Sequence, residues 1–211
     1  MNKMVPILFI FSLLLSISHA SVNDFCVADL KSPNSNSGYP CKSPKEVTVD
    51  DFVFSGLVAK DPTNTTSRAA LTTAFVNDFP GINGLGISAA RVDLAEGGFV
   101  PMHTHPGGTE LFMIVQGEIT AGFMTPNAVY YSKTLKPGDV IAFPQGQVHF
   151  VVNSGKGNAT AFVAFSSENP GAQTLDLLLF GNNLPSDIVA KTTLLDVAQV
   201  MKLKKRFGGR G

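Results

Sequence analysis

His103 and His105 stand two apart, Glu110 follows after a Pro-Gly-Gly turn, and His149 lies downstream; with His19 these are the chain's four histidines. Neutral imidazole nitrogens and a carboxylate form a mixed, fairly hard donor set, which suits Mn, Fe, Ni, Cu or Zn better than Ca or Mg. In a strand, residues i and i+2 project to one face, so His103 and His105 can reach a single ion. The Pro106-Gly107-Gly108 turn lets the next strand bring Glu110 alongside. His149, preceded by Pro144 and Gly146, comes from a distant strand, and only a folded barrel brings it close. A lone histidine is usually a satisfied core or surface residue. Here every histidine past residue 20 falls in one constellation with a well-spaced glutamate, which points to a metal site.

The elements that must position these residues begin past a leader. Lys3 supplies a basic start, residues 5–17 are almost unbroken apolar sequence, and Ser18 and Ala20 offer the small side chains a signal peptidase needs. Residues 1–20 therefore read as a signal peptide, Ser21 as the mature start, and the mature protein as soluble and secreted. No later stretch reaches the roughly 20 apolar residues of a transmembrane helix. Secretion gives Cys26 and Cys41 their meaning as one disulfide closing a Pro-, Ser-, Asn- and Gly-rich loop, worth about 3 kcal/mol. Asn64-Thr65-Thr66 and Asn158-Ala159-Thr160 are sequons, so both asparagines are glycosylation candidates.

About 191 residues remain once the leader is removed, enough for one domain with a sizeable core. The whole chain has 16 basic and 16 acidic residues, and loss of Lys3 leaves 15 against 16, so no basic field exists to draw nucleic acid. Strand-like runs are predicted at 51–58, 85–94, 111–115, 118–123, 129–135, 140–143, 148–152 and 160–165. Turn signals between them, such as Pro80-Gly81, Gly97-Gly98 and Lys136-Pro137-Gly138-Asp139, have the spacing of a sandwich or closed barrel. Pro137 with Gly138 predicts a type II hairpin connection. Past Pro185 the period changes, and helices are expected at 187–192 and 196–207. The second has Asp196 as its N-cap and one stripe of Val197, Val200, Met201 and Lys204. Its basic end, Lys202, Lys204, Lys205, Arg206 and Arg210, reads as a solvated helix terminus whose cations favour the negative end of the dipole.

Two ungapped motifs then make the pattern specific. Gly97-x5-His103-x-His105-x4-Glu110-x6-Gly117 resembles the first cupin motif in its germin form, and Gly138-x5-Pro144-x-Gly146-x2-His149-x3-Asn153 resembles the second. The Asp24-Phe25-Cys26-Val27-Ala28-Asp29 start, Cys41, the stretch from Phe79-Pro80-Gly81 to Ser88, and the helical tail extend the similarity to plant germin-like proteins over essentially the whole mature chain. The likeness is strongest to the branch that includes auxin-binding members. It implies an all-β fold, a germin-type cupin β-barrel or jelly roll, with a disulfide-bearing extension at 21–50, the barrel at 51–175 and C-terminal α-helices within 176–211. It also implies Mn2+ held by three His and one Glu, a homo-oligomer from dimer to hexamer, and a place in the apoplast or cell wall. By the Irving–Williams order Mn binds most weakly of these metals, so availability during folding must decide.

Three functions follow from the resemblance. One is superoxide dismutation at the bound metal, in defence or wall remodelling. Another is the oxalate oxidase activity of true germins, which use two asparagines near the metal to hold the substrate. The first aligns with Asn83 but the second falls at Ala90, which has no donor, and loss of one oriented donor can cost orders of magnitude in rate. That argues against oxalate. The third is a receptor-like role in which the metal helps bind the carboxylate of auxin or another small anionic ligand.

Overall fold

Along Val148–Asn153 the side chains of His149, Val151 and Asn153 are buried while the residues between them are only half covered. This period of two, which sends alternate residues into a core, recurs over much of Ser88–Leu94, Glu110–Gln116 and Ala159–Phe165. The computed structural model describes residues 24–35, 38–63 and 65–211. The predicted signal peptide and Asn64 lie outside the described residues.

The strands, in chain order, are β1 Ala69–Ala74, β2 Ser88–Leu94, β3 Phe99–Thr104, β4 Glu110–Gln116, β5 Ile119–Met124, β6 Tyr130–Leu135, β7 Val140–Phe143, β8 Val148–Asn153, β9 Ala159–Phe165 and β10 Gln173–Thr174. They form two five-stranded antiparallel sheets, β1-β2-β9-β4-β7 and β10-β3-β8-β5-β6. Between the sheets lies a single core that includes Leu94, Phe112, Ile114, Ile119, Phe143, Val151 and Val163. Each such side chain taken out of water contributes about 1.5–3 kcal/mol, which makes this layer the rigid frame on which the site is built.

Three helices follow: α1 Leu175–Phe180, α2 Ser186–Thr193 and α3 Val197–Phe207. They close a second, smaller core of Phe180, Val189, Ala190 and Val200. Asp196 caps α3 as expected, accepting from the Gln199 amide at 2.9 Å. Cys26 and Cys41 are joined by a disulfide. Among the described residues no helix is long and apolar enough to cross a membrane.

Four sequence expectations are corrected. The strand at 51–58 is absent. Its start is a 3-10 turn, Val49–Phe52, because Thr48 and Asp51 make a reciprocal capping box that satisfies the local backbone without a strand partner. The first strand is β1 instead, an Ala- and Thr-rich segment of little apolar periodicity. The Pro137-Gly138 turn forms, with Gly138 at φ 92° and Asp139 N donating to Lys136 O at 2.9 Å. It is no hairpin, however, because β6 and β7 belong to different sheets. Lastly, Lys204 is not solvated: it is 2% exposed, and its ammonium donates to the carbonyls of Asn182, Leu184 and Arg210. Three backbone acceptors compensate its desolvation and pin the chain's end to α3. Of the expected stripe, Val200 is buried with Lys204, while Val197 and Met201 are exposed.

Candidate metal centre

In the pairing of β3 with β8, His103 stands directly opposite His149. The register slips between Val100 and His103: three steps along β3 match two along β8, so one residue bulges. Pro101 sits in that bulge, where a missing N–H costs no ladder bond, and its carbonyl meets His103 Nδ1 at 2.8 Å. His105 lies one residue past the end of β3, yet the alternation persists and both imidazoles are buried. Glu110 opens β4 in the facing sheet, between Phe143 of β7 and Phe165 of β9. The two sheets thus deliver the four side chains to one point, and their donor atoms all lie within 4.8 Å of one another. The sequence singled out these four, and the fold brings all four together.

Protonation follows from the partners. His103 Nδ1 faces Pro101 O, His149 Nδ1 faces Gln147 O at 2.9 Å, and His105 Nδ1 faces Gly171 O. A carbonyl only accepts, so each Nδ1 carries the hydrogen. In the neutral ring Nε2 is then a bare lone pair, and those of His105 and His149 point at Glu110 Oε2 from 3.0 and 3.2 Å. Electron-pair donors converge on electron-pair donors, an arrangement that needs a cation or extra protons between them. With four donors 9% exposed or less, a divalent ion fits the cluster.

Protons can fill part of that need. Burial works to raise the Glu110 carboxyl, but its close contacts with the His105 and His149 rings outweigh it and hold it down to about 2. Burial works to lower His105, but its bonds to Glu110 and the Gly171 carbonyl leave it raised. Burial, followed by the neighbouring His149, pushes His103 down to about 4. The carboxylate is therefore charged near neutrality, His103 is neutral, and His105 keeps a proton more readily than a free imidazole.

Beside the donors is a cavity of about 240 Å³ whose walls include Phe75, Ala90, Val92, Val163 and Phe165. Phe165 sets its edge against the His105 ring at 4.9 Å, and Phe143 stacks on His149 at 4.4 Å. Ala90 thus stands on the cavity wall, where it offers no hydrogen bond. Asn83 is elsewhere: it is 4% exposed and its amide donates to Tyr39 O at 3.1 Å and Cys26 Sγ at 3.3 Å, tying down the disulfide segment. The sequence reading missed Phe75, which follows the unrecognised β1, and the carbonyl of Gly171, for which the Pro170-Gly171 turn pair was the sole signal. Asn158 is exposed just before β9.

Comparison with known proteins agrees with this architecture. The cupin family matches residues 55–201. An auxin-binding protein from Prunus persica is 55% identical over 204 residues, covering 97% of this chain and 98% of that protein. A germin-like protein of subfamily 3 from Arabidopsis thaliana is 53% identical over 209 residues, 99% of each. Among solved structures, a recombinant oxalate oxidase in complex with glycolate superposes with a TM-score of 0.84 at 36% identity, over 88% of this chain and 96% of that one.

Proposed function

The chain belongs to the germin-like proteins of the cupin family, and from that premise we propose that it is a secreted manganese protein of the plant apoplast that dismutes superoxide, in defence or wall remodelling. What supports the metal is the convergence of His103, His105 and His149 lone pairs on the Glu110 carboxylate. Bound there, manganese would supply one-electron chemistry, alternating between Mn(II) and Mn(III) as two superoxide anions and two protons become oxygen and hydrogen peroxide. The chain's own contribution is to fix the donors. Backbone carbonyls lock each ring's tautomer, Glu110 balances charge, and the apolar walls keep bulk water from competing for the site. Superoxide needs no shaped subsite, whereas oxalate needs donors that the wall at Ala90 lacks.

A second reading, a carboxylate-binding receptor, draws support from the apolar cavity and from the auxin-binding relative. Leu177, Leu178 and Leu179 on α1 and Leu194 after α2 are exposed, more apolar surface than a lone barrel leaves bare, and this supports a homo-oligomer. A monomer mass in light scattering would overturn that. The exposure of Asn158 supports its glycosylation, checked by the mass lost on deglycosylation.

The metal reading predicts a pH signature. Uptake of Mn(II) by metal-free protein must displace the His105 proton, so affinity is expected to fall about tenfold per unit as the pH drops below the raised His105 value. The fall should steepen near pH 4, where His103 also takes a proton. Calorimetry that found Mn(II) affinity independent of pH between 5 and 8 would contradict the assignment.

A further inference from the structure

The three histidines are not held alike. His103 and His149 each bond a carbonyl two residues back, Pro101 within β3 and Gln147 just before β8, whereas the His105 partner, Gly171, is 66 residues away. Gly171 belongs to residues 166–174, which lead from the end of β9 past the site to α1. The segment is fastened at several points: Ser166 N to Thr109 O at 3.0 Å, Thr109 N to Ser166 Oγ at 2.9 Å, Gly107 N to Pro170 O at 2.9 Å, and Ser88 Oγ to Ser167 O at 2.6 Å. Its end is β10, where Gln173 and Thr174 pair with Thr104 and His103. Ala172 and Thr174 also form part of the cavity wall. At Gly107 the two segments run close, since a Cβ there would come within 3.1 Å of the Asn169 and Pro170 carbonyls.

Resting on the metal reading above, we propose that residues 166–174 are a positioning strap for the metal centre, and that Gly171 is its key residue. The Gly171 carbonyl can reach His105 because the residue sits at φ 65°, the left-handed region that glycine enters freely. A β-branched residue there would be driven out of that conformation and would carry the carbonyl away, leaving His105 free to rotate. Room is not the obstacle, since an added Cβ would meet only Pro106 Cδ at 3.8 Å. The strap thus sets how tightly His105 is aimed at the ion through its side chain, while it meets His103 only through the backbone pairing of β10.

The test compares Mn(II)-loaded wild type, Gly171→Val, Gly171→Asn and Gly138→Val, mixed with excess chelator, by the rate of manganese release and by the melting point of the metal-free protein. Gly138 is a strain-matched control: it has φ 92° and open space about it, in the β6–β7 turn away from the ligands. Gly171→Val is expected to release manganese about 10- to 100-fold faster, the usual effect of losing a ligand's outer partner. Asparagine, which tolerates left-handed backbone, should restore near wild-type release, and Gly138→Val should lower the melting point without speeding release. Release from Gly171→Val at the wild-type rate, or equal acceleration by Gly138→Val, would overturn the strap. A wild type that takes up no manganese would instead overturn the metal reading on which the strap rests.

Discussion

Replacing His149 with alanine is expected to leave a folded protein without bound manganese. The residue is 1% exposed and contributes an Nε2 lone pair that faces Glu110, so its loss removes both a bond and the geometry around the other three donors. The drop in affinity should exceed the roughly 10- to 100-fold typical of an outer partner. His103→Ala and His105→Ala should behave likewise. Glu110→Gln separates charge from size: it keeps the volume but removes the sole anion of the cluster, so a divalent cation should bind far more weakly. Circular dichroism guards against simple unfolding. Metal content in His149→Ala equal to wild type, with the fold intact, would sink the assignment.

The second large effect separates the candidate reactions. Manganese-loaded protein should dismute superoxide, lose that activity on chelation, and form no peroxide from oxalate. Absence of an oriented donor at a reacting centre costs about 10²–10³ in rate, and here the wall carries Ala90 while Asn83 is committed to Tyr39 and Cys26. Ala90→Asn returns one donor and should lift oxalate-dependent peroxide formation above the wild-type background. Brisk oxalate oxidation by wild type would refute this view of Ala90. Inactivity toward superoxide at full manganese loading, with saturable auxin binding abolished by His105→Ala, would favour the receptor reading instead.

The four donors were legible in the sequence because few side chains can bind a metal, and two motifs of fixed spacing carry all four. Most strands were legible for a related reason: alternation along 118–123 or 148–152 admits one buried face. Where expectation failed, a local or long-range partner outweighed the pattern. Phe52 and Phe54 mimic strand alternation, but the Thr48–Asp51 capping box claims the backbone first. β1 forms from alanines and threonines because β2 offers it a full register of partners from Ala69 opposite Leu94 to Ala74 opposite Ala89. Lys204 looked like any surface lysine, since the carbonyls of Asn182, Leu184 and Arg210 that draw it inward carry no side-chain signature. The same holds for Gly171, whose contribution to the site is a carbonyl that any residue could supply and a backbone angle that few can.

On the function proposed above, these four residues hold one manganese ion in the protein as it is made. Elemental analysis of the protein purified without added metal from the extracellular fluid of its own tissue tests it most directly. Close to one manganese per chain is expected, released together with activity by a chelator. A native protein that is fully folded yet carries no metal, or is filled with zinc instead, would contradict it.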